Sequence, residues 1–291
     1  MTVHIERARN DEEWAELAAR RFFESGRAAI RERGAYHVVV PGGRTPRLAF
    51  ARIVRLTQVD RSELSDACDE ICFHCLAWNS VHLYFSDERC VEPTSPESNF
   101  GMVRESLLDQ VSIPPEQVHR IVGELKPREA AVLYNEMLVE RAKILRAPSH
   151  RTAGVAEPLF DVVILGLGPD GHTASLVPGR ALEFVAQPYA GVGPPPPSAA
   201  ASGSASTVAP GSASAGGSGG VGQVRVTLTA EALRSTRETV FWVRGADKAE
   251  VVRSALRGGE VQTMVPEVIP PGGEVAWILD EPAASLLDSH D

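Results

Sequence analysis

Cysteine is scarce in this chain: four occur in 291 residues, at positions 68, 72, 75 and 90. That is too sparse for a disulfide-built scaffold. Cys68, Cys72, His74 and Cys75 do not form two paired C-x-x-C units, so they are read as free thiols in a connecting segment, and no metal is expected. Positive charge is also in deficit. Lysine and arginine total 29 against 38 acids, a net charge of −9, which argues against a nucleic-acid partner. An anionic ligand would need a local cationic pocket against that background. No apolar run is long enough to span a bilayer, and Met1 to Trp14 has no signal-peptide core. A soluble, cytoplasmic protein without a membrane partner is expected.

Apolar residues are not lacking. At 43% of a 31.2 kDa chain they can build one large domain or two small ones, and one domain over 1–291 is the reading adopted. Its centre is Phe160 to Gly179, FDVVILGLGPDGHTASLVPG. Val162 to Leu165 is a continuous apolar run ending at glycine, as in a strand buried on both faces of a parallel sheet. The run breaks into Gly166, Gly168, Pro169, Asp170 and Gly171, and then presents His172 beside Thr173, which is expected to start a short helix. Such strand ends are where open α/β sheets bind ligands. Gly166-x-Gly168-x-x-Gly171 also fits the dinucleotide fingerprint. That reading fails because no strand with a closing acid is expected about twenty residues on. That distance falls near Gly191, in a stretch rich in proline, serine and glycine.

Other strand ends carry chemistry too. His37 to Val40 runs into Pro41-Gly42-Gly43-Arg44-Thr45-Pro46. Thr45 is placed to cap the next helix and Pro46 to occupy its first turn, which makes an anion-binding start. Val81 to Phe85 leads into Ser86-Asp87-Glu88-Arg89, with Ser98-Asn99 downstream. Val224 to Leu228 carries Arg225, and Thr239 to Val243 precedes Gly245-Ala246-Asp247-Lys248-Ala249. A lysine in a helix's first turn opposes the macrodipole unless an anion joins it. Asn10 with Glu13 marks the start of the first helix. Residues 128–146 form another helix, with Val132, Leu133, Met137, Leu138, Ile144 and Leu145 on the expected inner side. Val275 to Leu279 is the last strand, before a short helix from Glu281 to Leu287. The alternation of strands and helices predicts an α/β class, a mostly parallel Rossmann-like sheet flanked by helices. Residues 187–222 are too rich in Pro, Ala, Ser and Gly to pack, so they are read as a flexible loop insertion.

LGLGPDGHTASLVPG resembles the signature of the 6-phosphogluconolactonases, which are similar in fold to the glucosamine-6-phosphate deaminases. GGRTP at 42–46, Asp87-Glu88-Arg89 with Ser98-Asn99, the strand from Arg225, and Gly245 to Ala249 resemble that family's other motifs, in its order. Cys90 and the proline at 93 depart from the family's usual aromatic and earlier proline. The resemblance implies hydrolysis of 6-phosphoglucono-1,5-lactone to 6-phosphogluconate, with no cofactor, by a monomer or weak homo-oligomer. An imidazole is a fit base near neutral pH, which makes His172 the candidate, supported by Asp170 or Asp87. Backbone N–H groups at Gly43, or in the turn from Gly168 to Gly171, would meet the oxyanion. The phosphate would be held by Arg44, Thr45, Arg225 and Lys248 around Gly42 and Gly43. Arg89 would reach phosphate or sugar, and Asn99 belongs to the same wall. Two rivals share the fold: an isomerising deaminase and a non-catalytic sugar-phosphate sensor. Thr173 to Pro178 lacks the glutamate of the deaminase loop, and Arg89 stands where deaminases carry tyrosine.

Overall fold

The computed structural model describes residues 2–58, 76–146, 157–193 and 223–287. Cys68, Cys72, His74 and Cys75 lie outside these, as do residues 194–222 of the expected insertion. The strands are β1 (Thr2–Ala8), β2 (Tyr36–Val40), β3 (Val81–Phe85), β4 (Asp87–Arg89), β5 (Val118–His119), β6 (Phe160–Leu165), β7 (Phe184–Ala186), β8 (Ala190–Gly193), β9 (Arg225–Leu228), β10 (Thr236–Val243) and β11 (Glu274–Asp280). Seven make a parallel sheet in the order β1-β11-β10-β6-β2-β3-β5, and β4-β9-β8-β7 form a small antiparallel sheet. The α/β expectation is borne out. Every residue of β6 is buried, because it is an inner strand with helices over the sheet.

The main helices are α1 (Asp11–Arg33), α2 (Thr45–Thr57), α3 (Asn99–Ser106), α4 (Pro127–Arg146) and α5 (Ala249–Arg257). α1 starts as expected: Asn10 Oδ1 accepts the Glu13 N–H at 2.9 Å. The Glu13 carboxylate reaches back one residue further than a capping box, to the Arg9 N–H.

Several expectations change. β1 was not anticipated; it is an edge strand whose first four residues are exposed on both faces. β8 occupies Ala190–Gly193, all buried, so the insertion begins no earlier than 194, and there is a strand near Gly191 after all. It pairs antiparallel with β9 in the small sheet, so the dinucleotide topology is still absent. Thr173 starts no helix. It closes a tight turn with Leu176, through N–H···O bonds of 3.1 and 2.9 Å. Thr45 does not cap α2. Arg44 holds the cap position in a helical conformation, without a side-chain cap. The last helix stops at Ala284.

α4 is rotated from its expected setting. Val132, Leu133 and Ile144 are exposed, while Ala130, Tyr134, Leu138 and Ala142 face the core. Polar anchors set that rotation. The Tyr134 hydroxyl donates to Phe85 O at 2.9 Å and accepts from Phe85 N at 3.0 Å, and Asn135 Oδ1 accepts from Tyr189 N at 2.9 Å. Small alanines beside them let the helix approach the sheet closely.

The β2, β3 and β5 strands also carry an imidazole ladder. His37 stacks on His82, and His119 stacks on both His82 and Tyr84, with the Arg141 guanidinium 6.0 Å from the Tyr84 ring centroid. Burial, reinforced by Arg141 and the neighbouring imidazoles, holds His37 down to about 2. Burial, then His82 and Arg141, bring His119 to about 4. The unfolded chain therefore binds more protons below about pH 6.5, and stability must fall as pH drops through that value toward 4. We predict that the urea midpoint decreases from pH 7 to pH 5, and that His37→Gln flattens this slope. An unchanged slope in the variant refutes the prediction.

Candidate active site

Strands β10, β6, β2 and β3 are neighbours in the sheet and run the same way, so the loops after them share one edge. Together they wall a cavity of about 540 Å³. β2 delivers Gly42, Gly43, Arg44 and Thr45 to this cavity, and β3 delivers Asp87 and Arg89, with Asn99 from the start of α3. The β6 loop contributes Gly168 and His172, β9 Arg225, and the loop after β10 Lys248. The loops expected to meet therefore do meet.

His172 is oriented by its own loop. Its Nδ1 forms a hydrogen bond with Asp170 Oδ1. Asp170 stands behind the ring, away from the cavity wall. Gly168 is what makes room: a Cβ there would sit 2.0 Å from His172 Nδ1 and 2.5 Å from Asp170 Oδ1. Gly171 also lies behind the wall. Its φ of +82° and its packing against Gln262 both exclude a side chain. The Gly168 N–H donates to His172 O at 2.8 Å and the Gly171 N–H to Gly168 O at 2.9 Å. These two donors are spent inside the turn, and Gly43 lines the cavity. The loop is tied further by Thr173 Oγ1 donating to Gly166 O at 2.8 Å.

Asp87 is occupied. Oδ2 accepts from Ser175 Oγ at 2.7 Å and Arg225 Nη1 at 3.0 Å. Oδ1 accepts from Ser86 Oγ at 3.2 Å and Asn99 Nδ2 at 3.3 Å. At 4% exposure it is a buried anchor. Glu88 turns away from the cavity. Its carboxylate accepts from the N–H groups of Arg89, Asn99 and Phe100, each at 2.7 Å, and from Ser98 Oγ at 2.9 Å. It thus fastens the start of α3 to β4. Arg89 is placed by Glu97 O at 2.6 Å and Asn99 Oδ1 at 3.1 Å. Burial, and then the neighbouring charge of Arg225, lower its pKa. The Lys248 ammonium is 3.3 Å from Asp247. Cys90 is a half-buried free thiol whose pKa burial raises to about 11.

Among the wall residues, Arg244 escaped the sequence reading, and Trp242 was read only as part of a strand. The signal was present, since Arg244 directly follows the apolar run that ends β10.

Taken together, fold and crevice define an α/β protein with a cationic, strand-end site that carries one histidine–carboxylate pair. Residues 9–277 match the family of glucosamine-6-phosphate isomerases and 6-phosphogluconolactonase, and the chain belongs to that family. It is 31% identical over 292 residues to the 6-phosphogluconolactonase of Streptomyces coelicolor, covering 96% of this chain and 92% of that protein. The Haemophilus influenzae 6-phosphogluconolactonase is 28% identical, with 86% of this chain and 87% of that protein covered. Among solved structures, the 6-phosphogluconolactonase from Trypanosoma cruzi superposes with a TM-score of 0.70 at 23% identity, over 99% of this chain and 98% of that one. A monomeric glucosamine-6-phosphate deaminase superposes at 0.67 with 17% identity, over 97% and 99%. At those identities the superpositions establish the fold.

Glu88→Ala strips one acceptor from four donors, three of them on the backbone. We predict a loss of about 3 kcal/mol, since buried donors left unpaired cost about 1–3 kcal/mol each and relaxation recovers part. Urea unfolding measures it, and a loss below about 1 kcal/mol would contradict the anchor role.

Proposed function

We propose that the protein hydrolyses 6-phosphoglucono-1,5-lactone to 6-phosphogluconate, the second step of the oxidative pentose phosphate pathway. The observation that carries this reading is the His172–Asp170 pair on a cavity otherwise furnished with cations. A lactone carbonyl is already electrophilic, so a positioned water and one base suffice. Asp170 engages Nδ1, which leaves His172 Nε2 for proton transfer.

Nε2 takes a proton from water as its oxygen attacks the lactone carbonyl carbon. The negative charge moves to the carbonyl oxygen, where the Gly43 N–H is the candidate donor. When the intermediate collapses, the carbon–ring-oxygen bond breaks and the imidazolium returns its proton to the departing oxygen. The carboxylic acid product ionises in solution, and the imidazole is regenerated. Arg44, Thr45, Arg225 and Lys248 hold the phosphate, and Arg89 holds phosphate or sugar. Fixing that remote charge spends binding energy on aiming the carbonyl.

The deaminase reading has less support. Isomerisation and ammonia release call for more than one placed proton carrier, and the oxygens of Asp87 are already engaged by Ser86, Asn99, Ser175 and Arg225. A sensor without turnover has no evident need for the His172–Asp170 pair.

The test is a coupled assay on freshly prepared lactone, corrected for spontaneous opening. We predict that His172→Ala lowers kcat by about 10²–10⁴-fold while the fold is kept. Lys248→Ala mainly raises KM. Wild-type turnover no faster than the spontaneous reaction, or ammonia release from glucosamine 6-phosphate, would reject the proposal.

A further inference from the structure

Arg244 has no place in the motifs that carry the family resemblance, yet it lines the same cavity as Lys248. The two cations flank one turn. Gly245, at φ 103°, makes the turn possible, and its N–H is held by both oxygens of Asp280 at 3.0 Å. The chain therefore leaves β10 with both side chains available to one end of the cavity.

We infer that Arg244 is a specificity-determining residue: a second fixed cation beside Lys248 that selects a phosphorylated over an unphosphorylated lactone. The inference rests on the lactonase reading. Its physical basis is preorganisation. A free arginine loses about 2 kcal/mol of side-chain entropy when it is fixed on a ligand. Here the side chain is fixed beforehand. Asp11, at the start of α1, pairs with Nη2, and Asp280 Oδ2 lies 3.8 Å from Nε. The guanidinium sits 5.2 Å from the Trp14 ring centroid. Trp14 is itself held by Nε1 donating to Ile278 O at 3.0 Å and by edge contact with Trp242.

The braces do not consume the group. A guanidinium offers five N–H donors, and Asp11 engages only the Nη2 end, while the enclosed Nε is not offered to the cavity. The Asp11 side chain is 72% exposed, so solvent screens its pull on the cation. A residue serving only to brace α1 against β10 would have no reason to face the cavity. A phosphate dianion entering beside Lys248 would find a planar fork of matching geometry.

The experiment compares wild type, Arg244→Gln, Arg244→Lys and Asp11→Asn on 6-phosphogluconolactone and on unphosphorylated glucono-1,5-lactone. Binding of inorganic phosphate is measured by calorimetry alongside. For Arg244→Gln the expected result is a KM for the phosphorylated lactone raised about tenfold, with kcat within about twofold. KM for the unphosphorylated lactone stays unchanged, and phosphate affinity falls about tenfold. Arg244→Lys, which keeps the charge and loses the fork, falls between and carries the test if the glutamine variant does not fold. Asp11→Asn, which keeps the cation and loosens one of its braces, raises KM for the phosphorylated lactone by less than Arg244→Gln does. Equal losses on both lactones, no change on either, or an Asp11→Asn variant that reproduces Arg244→Gln would overturn the inference. A wild type that opens neither lactone rejects the lactonase reading instead. Phosphate binding then still decides whether Arg244 grips the anion, and an affinity unchanged in Arg244→Gln sinks that as well.

Discussion

The carboxylate of Asp87 ties the site together. It is a buried charge, and a buried charge persists only when it is paired and hydrogen-bonded. Its four partners come from four segments: Ser86 at the end of β3, Asn99 at the start of α3, Ser175 in the histidine loop and Arg225 on β9. Each of these carries, or adjoins, a residue on the cavity wall. Satisfying one anion thus fixes the relative placement of the small sheet, the β3 loop and the loop that holds His172. Arg225 gains from the same bond, because its charge meets a counter-charge that cannot drift. Glu88, the next residue, does the equivalent work on the outer side, by gathering the first N–H groups of α3. The helix dipole favours an acid at that end.

The chain is acidic overall, with a net charge of −9, yet Arg44, Arg89, Arg225, Arg244 and Lys248 share one cavity wall. Such a concentration would repel itself without local anions. Asp87, Asp247, Asp11 and Asp280 each stand next to one of these cations. The arrangement keeps the empty site foldable and leaves surplus positive potential in the crevice, where low-dielectric walls focus it.

The strand-end loops were legible in the sequence because short apolar runs broken by glycine have few other readings. β6 and its GPDGH turn, the GGRT turn after β2 and the lysine after β10 all fell where they were expected. Legibility failed where long-range partners override local pattern. α4 turned its alanine stripe inward because the Tyr134 hydroxyl bonds the backbone of β3, a partner that periodicity cannot reveal. β8 was hidden because Ala190–Gly193 has weak strand propensity and depends on pairing with β9. The choice between Asp170 and Asp87 was beyond the sequence for a similar reason. Ser175 and Arg225, distant in the chain, claim Asp87, while Asp170 bonds the imidazole from within its own loop.

The fold does not choose the chemistry. Superpositions of 0.70 on a lactonase and 0.67 on a deaminase are nearly equal, as expected when one scaffold hosts different reactions. The choice must come from proton carriers. Opening a lactone asks for one base, one water and the return of one proton to the leaving oxygen. Moving a double bond along a sugar and expelling ammonia asks for proton transfers at several atoms, and hence for additional groups with free capacity. The carboxylate that lines this cavity is Asp87, and its oxygens are occupied by hydroxyl, amide and guanidinium donors. Protonating it would release Arg225 and loosen the wall. A single histidine with one dedicated carboxylate, set on a cavity lined by Arg44, Arg89, Arg225, Arg244 and Lys248, is the equipment of the simpler reaction.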